Sequence, residues 1–555
     1  MKAIPSQRFV LLLFAAMVIF FFRLHSIPLW SSDEGRYGEI AREMALSGNI
    51  IVPHFNYVEF LDKPILAPLI TALSYALFGV SSFSTRVPLA VASLIGIVMT
   101  FFFVRRLFNA KTAELSFMVL ATSAGYVLVG RFAVIDMFFN VFVSGAIFSM
   151  MAGFFLKRQR YFLASYGVMG LAFLTKGLAG IVLPLAVFFI FLFVTRNRGE
   201  FKKISLGWGI LIMAAITLPW FVTLCKREPG FFNFFIVRQH FARFANAHSF
   251  GRARPFWFYF PILLGTAFPW SFFIPASVVS ALRQEGEEKR KHLFLMIWFS
   301  VIFLFFSLSR SKLPYYILPV GTPLAVLTAS FLQRCFQNEK GWAPRWAALT
   351  WKILAGVLLA GLAGLNIFLW FSTRNTLMLS LRGLAGGFSM IAAGMIFWLL
   401  RSTSRAQSFY IMAGLMGILF LTVAQAMVII SPFQSTYAYA EALKPMLQPG
   451  DLVGIASSPD HFSDFPFHLR QRVMVVSPDW GTLAPGANKP GREQDSKEWF
   501  MGPDNFSDWF KTRKERVFLL IDEENFPEIQ RHGFKKYQVV KRGFGKILIL
   551  ITNKV

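Results

Sequence analysis

At 555 residues, 55% of them hydrophobic and 15% charged, the chain is too apolar for a water-soluble protein. Its net charge of +27 at first suggests nucleic acid, but most of the bases sit in short loops between apolar runs. That distribution is the topology signal of a membrane protein and argues against a nucleic-acid partner.

A bilayer span needs about 20 mainly apolar residues. The first such run, Phe9 to Phe22, is followed by acids rather than a small-residue cleavage site, so it reads as a retained helix and not a signal peptide. With Lys2 and Arg8 on the cytoplasmic side, about thirteen spans can be threaded with alternating orientation. They cover 9–27, 84–104, 112–131, 137–156, 161–175, 177–195, 207–225, 257–281, 293–308, 315–334, 350–372, 383–400 and 408–430. The basic clusters Arg105–Lys111, Lys157–Arg160, Arg196–Lys203, Lys289–Lys291 and Arg401–Arg405 then all fall inside. Cys225 and Cys335 end different spans on opposite faces, so no disulfide is expected.

Three outward segments are long enough for chemistry. The first, 28–83, holds an amphipathic stretch from Arg36 to Leu46 ended by Gly48, and a second apolar stretch, Ile65 to Phe78, suited to lie in the membrane plane. The second, 226–256, is basic and aromatic. The third is the tail from Ser431, with Pro-Gly turns, a helical stretch Tyr437–Leu447 and β-prone runs at Leu452–Ala456, Val473–Val476, Val517–Ile521 and Ile547–Ile551. The expected fold is therefore a polytopic α-helical membrane domain over 1–430 followed by a small α/β domain over 431–555 on the periplasmic side.

Ionisable residues crowd the outer ends of the spans. Asp33 and Glu34 open the first amphipathic stretch; acids there cap a helix start, and they also stand at the lipid boundary beside Arg36, where an anionic headgroup and a sugar hydroxyl would meet them. Asp136, in RFAVIDMFFN, lies where an unpartnered acid is costly, which favours a role. Asp62 and Lys63 precede Pro64, either as a solvated pair or with Lys63 on a phosphate. Lys176, Arg310 and Lys312 are bases in short outer loops, against the positive-inside bias, and an anionic ligand would explain them. His240 is a candidate metal ligand or proton carrier, although no His/Cys metal motif accompanies it. His248, His461, Asp460 and Asp464 read as ordinary loop residues.

The run DEGRYGEIAREMALSGNIIVPHFNYVEFLDKP resembles the first outer loop of the ArnT family, the bacterial lipid A 4-amino-4-deoxy-L-arabinose transferases. These are GT-C polytopic glycosyltransferases related to protein O-mannosyltransferases. FLTKGLAG, FFIVRQHFARFANAHSFGRARPFWFYFPILLGTAFPW, FSLSRSKLPYYILP and DFPFHLRQRVMVV continue the resemblance along nearly the whole chain. It implies Asp33 as principal active-site carboxylate and Asp136 as the second. It also implies Lys63, Arg36, Lys176, Arg243 and Tyr316 around a polyprenyl phosphate, and Asp62 with His240 as possible ligands of a divalent ion, Zn or Mg. Two departures count against the metal: Asp62 replaces an expected Glu, and Gln239 an acid before the histidine.

The implied reaction transfers a sugar from undecaprenyl phosphate to a lipid A phosphate at the periplasmic face of the inner membrane, by a monomeric enzyme. Two competing readings are a GT-C transferase of another sugar (mannose, galactosamine or glucose) to a glycan, lipid or protein Ser/Thr, and a lipid transporter or flippase. Polar groups at span ends and the lack of internal repeats disfavour transport.

Overall fold

The computed structural model describes residues 7–242, 253–337, 341–372, 376–402, 404–531 and 537–552. Among these, nine helices are long and apolar enough to cross a bilayer, or up to eleven if the bent pairs Ala110–Ala121 with Ala124–Arg131 and Phe256–Thr266 with Trp270–Leu282 each count as one. The two other spans expected from sequence are the helices Gln159–Lys176 and Ala179–Val194. The chain is a multi-pass membrane protein.

Two compact units emerge: 1–22 with 89–426, and 23–88 with 427–555. The first outer segment thus belongs to the same unit as the C-terminal α/β domain.

The first unit is helical and centred on Asp136–Leu156, whose side chains are buried along nearly their whole length. Phenylalanine dominates the packing. Phe148 stacks on Phe103 at 5.3 Å and meets the edge of Trp298 at 5.0 Å, and Phe191 lies 5.1 Å from Phe154 and 4.9 Å from Phe294. Gln159–Lys176 and Ala179–Val194 turn back on each other through Gly177 (φ 83°). Their approach is close: a Cβ on Gly180 would lie 2.5 Å from the backbone carbon of Ala172, so only glycine fits. Arg131, buried, donates to the carbonyl oxygens of Ile19 and Phe22, end groups that the first helix cannot satisfy itself.

In the second unit, helix Asp33–Ser47 is stopped by Gly48 in the left-handed region (φ 66°), and a short hairpin pairs β1 (His54–Phe55) with β2 (Val58–Glu59). The tail adds β3 (Leu452–Ala456), β4 (Met474–Val476), β5 (Phe500–Met501), β6 (Val517–Asp522), β7 (Tyr537–Gly543) and β8 (Lys546–Ile551). They form one sheet in the order β5-β4-β3-β6-β8-β7. β3 to β6 run parallel, and β8 and then β7 add antiparallel. The central strands are buried on both faces, which is why VFLLI in β6 is an unbroken apolar run.

One face of this sheet packs against Ile40, Phe55, Val58 and Phe60 of the first outer segment, together with Tyr439, Ala440 and Leu443. The other face is covered by Phe506 and Phe510. Asn56 completes the join like a strand residue: its amide donates to the Val473 carbonyl at 2.8 Å, and its side-chain oxygen accepts from the Val473 N–H at 2.9 Å.

On helix Asp33–Ser47, Arg42 forks onto Glu39 at 2.7 and 2.6 Å, and Glu43 is buried beside them. Burial first, then the neighbouring Glu39, hold the Glu43 carboxyl well above the usual carboxylate range. A protonated acid in the fold loses stability as pH climbs from its unfolded titration near 4.5 towards its raised folded one. Glu43→Gln, which mimics the protonated acid, is therefore expected to match the parent in thermal melts at pH 4. At pH 8 it should exceed the parent by on the order of 1 kcal/mol.

Candidate active site

Asp33 is the first residue of its helix, where a carboxylate suits the exposed amides and the positive end of the dipole. Its side chain is 24% exposed and accepts a hydrogen bond from Arg36 Nη1 at 3.2 Å, one turn on. Arg36 is buried, and its Nη2 donates to Asp460 Oδ1 at 2.6 Å. Burial alone works to discharge this guanidinium; Asp460 and Asp33, then Tyr37 and Asp62, outweigh it and raise its pKa above the ordinary arginine value. Arg36 Nε–H is buried without a partner among the described residues, a donor left over at the site.

Two residues that read as ordinary loop acids are instead tied into the fold, Asp460 by an ion pair and Asp464 by full burial, which corrects that expectation. Asp460 holds Arg36 and also accepts from Thr482 at 2.8 Å. Asp464 is fully buried and gathers the Ser31 hydroxyl, the Ser435 hydroxyl at 2.9 Å and the Thr436 N–H at 2.6 Å, with His468 at 3.5 Å. Burial opposes its charge, but His468, Ser31 and Thr436 prevail and hold its carboxyl below the usual range. The loop also clamps the helix start directly: Ser463 donates to the Ser32 carbonyl at 2.5 Å, and a Cβ on Gly35 would lie 2.4 Å from the Asp464 backbone. Glycine at 35 is required by that approach, not by its torsions.

Glu34 points inward. It takes Arg86 Nε at 2.8 Å and Nη2 at 2.6 Å, and accepts from the Trp30 N–H at 3.2 Å. The same arginine reaches the carbonyls of Ile27 and Pro28, so the pair ties down the chain leading into Asp33. Lys63 is half-buried and donates to the Asp62 carbonyl at 3.1 Å.

In the helical unit, Asp136 opens helix Asp136–Leu156 and is ion-paired with Lys176, the last residue of helix Gln159–Lys176. Each charge sits at the helix end whose dipole favours it. The Lys176 ammonium lies 3.8 Å from the ring centre of Tyr316 and 4.9 Å from that of Phe139. Tyr316 belongs to the turn Pro314–Val320. Arg310 is exposed and Lys312 buried in the loop before that turn. Arg243 and the side chain of His240 lie outside the described residues.

A family model described as dolichyl-phosphate-mannose-protein mannosyltransferase matches residues 62–222. An undecaprenyl phosphate-alpha-4-amino-4-deoxy-L-arabinose arabinosyl transferase of Pseudomonas fluorescens is 32% identical over 362 residues, 63% of this chain and 62% of its own. A Pseudomonas aeruginosa protein of the same name is 33% identical over 368 residues, 64% of this chain and 65% of its own. The chain thus spans less than two thirds of the length of these relatives in sequence. The crystal structure of ArnT from Cupriavidus metallidurans bound to undecaprenyl phosphate superimposes with a TM-score of 0.84 at 26% identity, over 98% of each chain. Over nearly its whole length the chain shares the fold of that ArnT. An Archaeoglobus fulgidus oligosaccharyltransferase shares the fold at 14% identity and a TM-score of 0.54, covering 93% of this chain and 69% of that one.

The family resemblance raised a divalent ion on Asp62 and His240. Among the described residues no three His, Cys, Asp or Glu side chains come together as a metal site. The cation lodged between Asp33 and Asp460 is the Arg36 guanidinium. The side chain of His240, one of the two ligands the resemblance named, lies outside the described residues.

Asp460 and Asp464 should separate under mutation. Asp460→Asn keeps the acceptor for Thr482 but removes the charge holding Arg36. Because Asp33 still pairs with Arg36 and Asp460 is itself 30% exposed, the melting temperature should drop by only a few degrees, while activity in the assay of the function proposed below should fall on the order of tenfold. Asp464→Asn places an amide among donors in a buried site and should cost about 3–5 kcal/mol, read as a lower melting temperature and poor recovery from the membrane.

Proposed function

We propose that this protein moves 4-amino-4-deoxy-L-arabinose from undecaprenyl phosphate to a lipid A phosphate at the periplasmic face of the bacterial inner membrane. The observation that carries the reading is the likeness, over nearly the whole chain, to an enzyme whose structure holds undecaprenyl phosphate. In this reading the N-terminus is cytoplasmic, residues 431–555 fold in the periplasm, and the enzyme acts as a monomer.

The reaction is one in-line displacement. An acceptor phosphate oxygen attacks the anomeric carbon, the bond from that carbon to the polyprenyl phosphate oxygen breaks, and the configuration inverts. Charge develops on the departing phosphate, where Arg36 and Lys63 stabilise it; the unspent Nε–H of Arg36 supports this role. By the family resemblance Lys176, Arg243 and Tyr316 also bind a substrate phosphate, and Asp136 holds Lys176 in place.

A lipid A phosphate is already ionised near neutral pH and needs no general base. Asp33, fixed against Arg36, instead orients the sugar and pairs with its amino group. Glu34 acts through Arg86 as a positioning residue, not as a reacting group.

A second reading, transfer of another sugar to a protein Ser or Thr, is favoured by the mannosyltransferase family match over 62–222. Mass spectrometry of lipid A from cells with and without the gene tests the first: a pentosamine added to phosphate only in gene-bearing cells is expected. Asp33→Asn and Lys63→Ala should each lower the modified fraction by about 100-fold or more at unchanged membrane levels. Full modification by both variants would refute the site, and glycosylated peptide in place of lipid would select the second reading.

A further inference from the structure

The helical unit carries a second basic feature apart from the Asp136–Lys176 pair. An open cleft of about 490 Å³ is lined by Arg254, Phe256, Ser307, Arg310 and Lys312. Its walls are held by backbone pairing. Ala253 bridges Ser311 antiparallel, the Arg254 N–H donates to the Arg310 carbonyl at 3.3 Å, and Lys312 Nζ donates to the carbonyls of Arg254, at 3.1 Å, and Ser309. Lys312 is buried and spends two of its three N–H bonds on those carbonyls, leaving one.

Two observations point to an anion. First, these three cations have no acid to answer them: among the described residues none is ion-paired, and the sequence holds no Asp or Glu between Glu228 and Glu285 or between Glu288 and Glu339. Second, Ser307, 1% exposed and among the residues lining the cleft, has a buried hydroxyl with no hydrogen-bond partner among the described residues. A buried hydroxyl without an acceptor costs free energy that a bound oxyanion would return. The rim says what kind of anion. Phe256, Trp257, Phe260 and Leu308 are exposed by 50%, 63%, 52% and 63%, an aromatic and aliphatic border of the sort that lies at the headgroup level of a bilayer.

We propose that this cleft is a binding site for the phosphate monoester of a lipid headgroup, held by Arg254, Arg310, Lys312 and the Ser307 hydroxyl, with its hydrocarbon chains on the aromatic border. Resting on the transfer reaction above, its role is to seat the phosphate-bearing acceptor lipid. A fork of two guanidiniums with an ammonium favours a dianionic monoester over a zwitterionic diester.

The test uses the purified full-length protein in nanodiscs and three probes: dioctanoyl phosphatidic acid, dioctanoyl phosphatidylcholine and inorganic phosphate, followed by Trp fluorescence and native mass spectrometry. Phosphatidic acid should bind, phosphatidylcholine should not, and inorganic phosphate should bind at least tenfold more weakly. Arg310→Gln and Arg254→Gln should each weaken phosphatidic acid on the order of tenfold, with Arg310→Lys recovering part of the loss. Ser307→Ala should cost a few fold without lowering the melting temperature. Equal binding to parent and variants, or none to either, overturns the site; inorganic phosphate binding as tightly as phosphatidic acid overturns its assignment to lipid. In transfer assays Arg310→Gln should raise the acceptor KM and leave the donor KM unchanged; the reverse overturns the acceptor role. A protein that binds phosphatidic acid as described yet transfers no sugar would refute the transfer reading and leave the cleft standing.

Discussion

Everything at the candidate active site depends on keeping one buried guanidinium charged. Arg36 sits where burial alone would disfavour its charge, and the carboxylates of Asp33 and Asp460 on either side reverse that balance. Breaking a buried pair costs far more than the intact pair is worth, because one charge is left without compensation. The geometry therefore follows from charge compensation: if both Asp33 and the 460–464 loop moved away, a buried cation would lose its two carboxylates.

The same logic sets the surroundings. Glu34, one residue from Asp33, is committed to Arg86, which in turn ties the carbonyls of the incoming chain. Asp464 collects donors from Ser31, Ser435 and Thr436 and packs its backbone against Gly35. Neighbouring acids thus have separate duties. Asp33 stays partly exposed, and the other carboxylates are consumed in holding the chain around it. In the helical unit Asp136 and Lys176 repeat the principle at two helix ends, with Tyr316 supplying the face of a ring to the ammonium.

Much of this was legible in the residues. The Phe- and Leu-rich runs could only be membrane helices, and all of them are helices in the structure. Gly48 ends the first outer helix as its position required. The core strands of the α/β domain were visible because a strand buried on both faces is a continuous apolar run. Within that domain the strands that escaped notice are β5, only two residues long, and β7, an edge strand whose side chains are largely exposed. β5 is buried but too short to leave a pattern, and β7 has no buried face to leave one. Asp33, Arg36, Lys63, Asp136 and Lys176 stood out because charge next to hydrocarbon is expensive and therefore informative.

Asp460 and Asp464 carried no such signal. They lie in a polar loop more than 420 residues from Arg36, and acids in polar loops are usually solvated. Only the packing of Ile40, Phe55, Val58 and Phe60 onto the β-sheet brings that loop to the helix start. Local composition and periodicity, which act over a few turns of chain, were enough to determine by themselves that this is a helical membrane protein with its charges gathered in the segments between apolar runs. Which carboxylate meets which arginine depends on contacts between segments far apart in sequence, and that was decided by the tertiary fold alone.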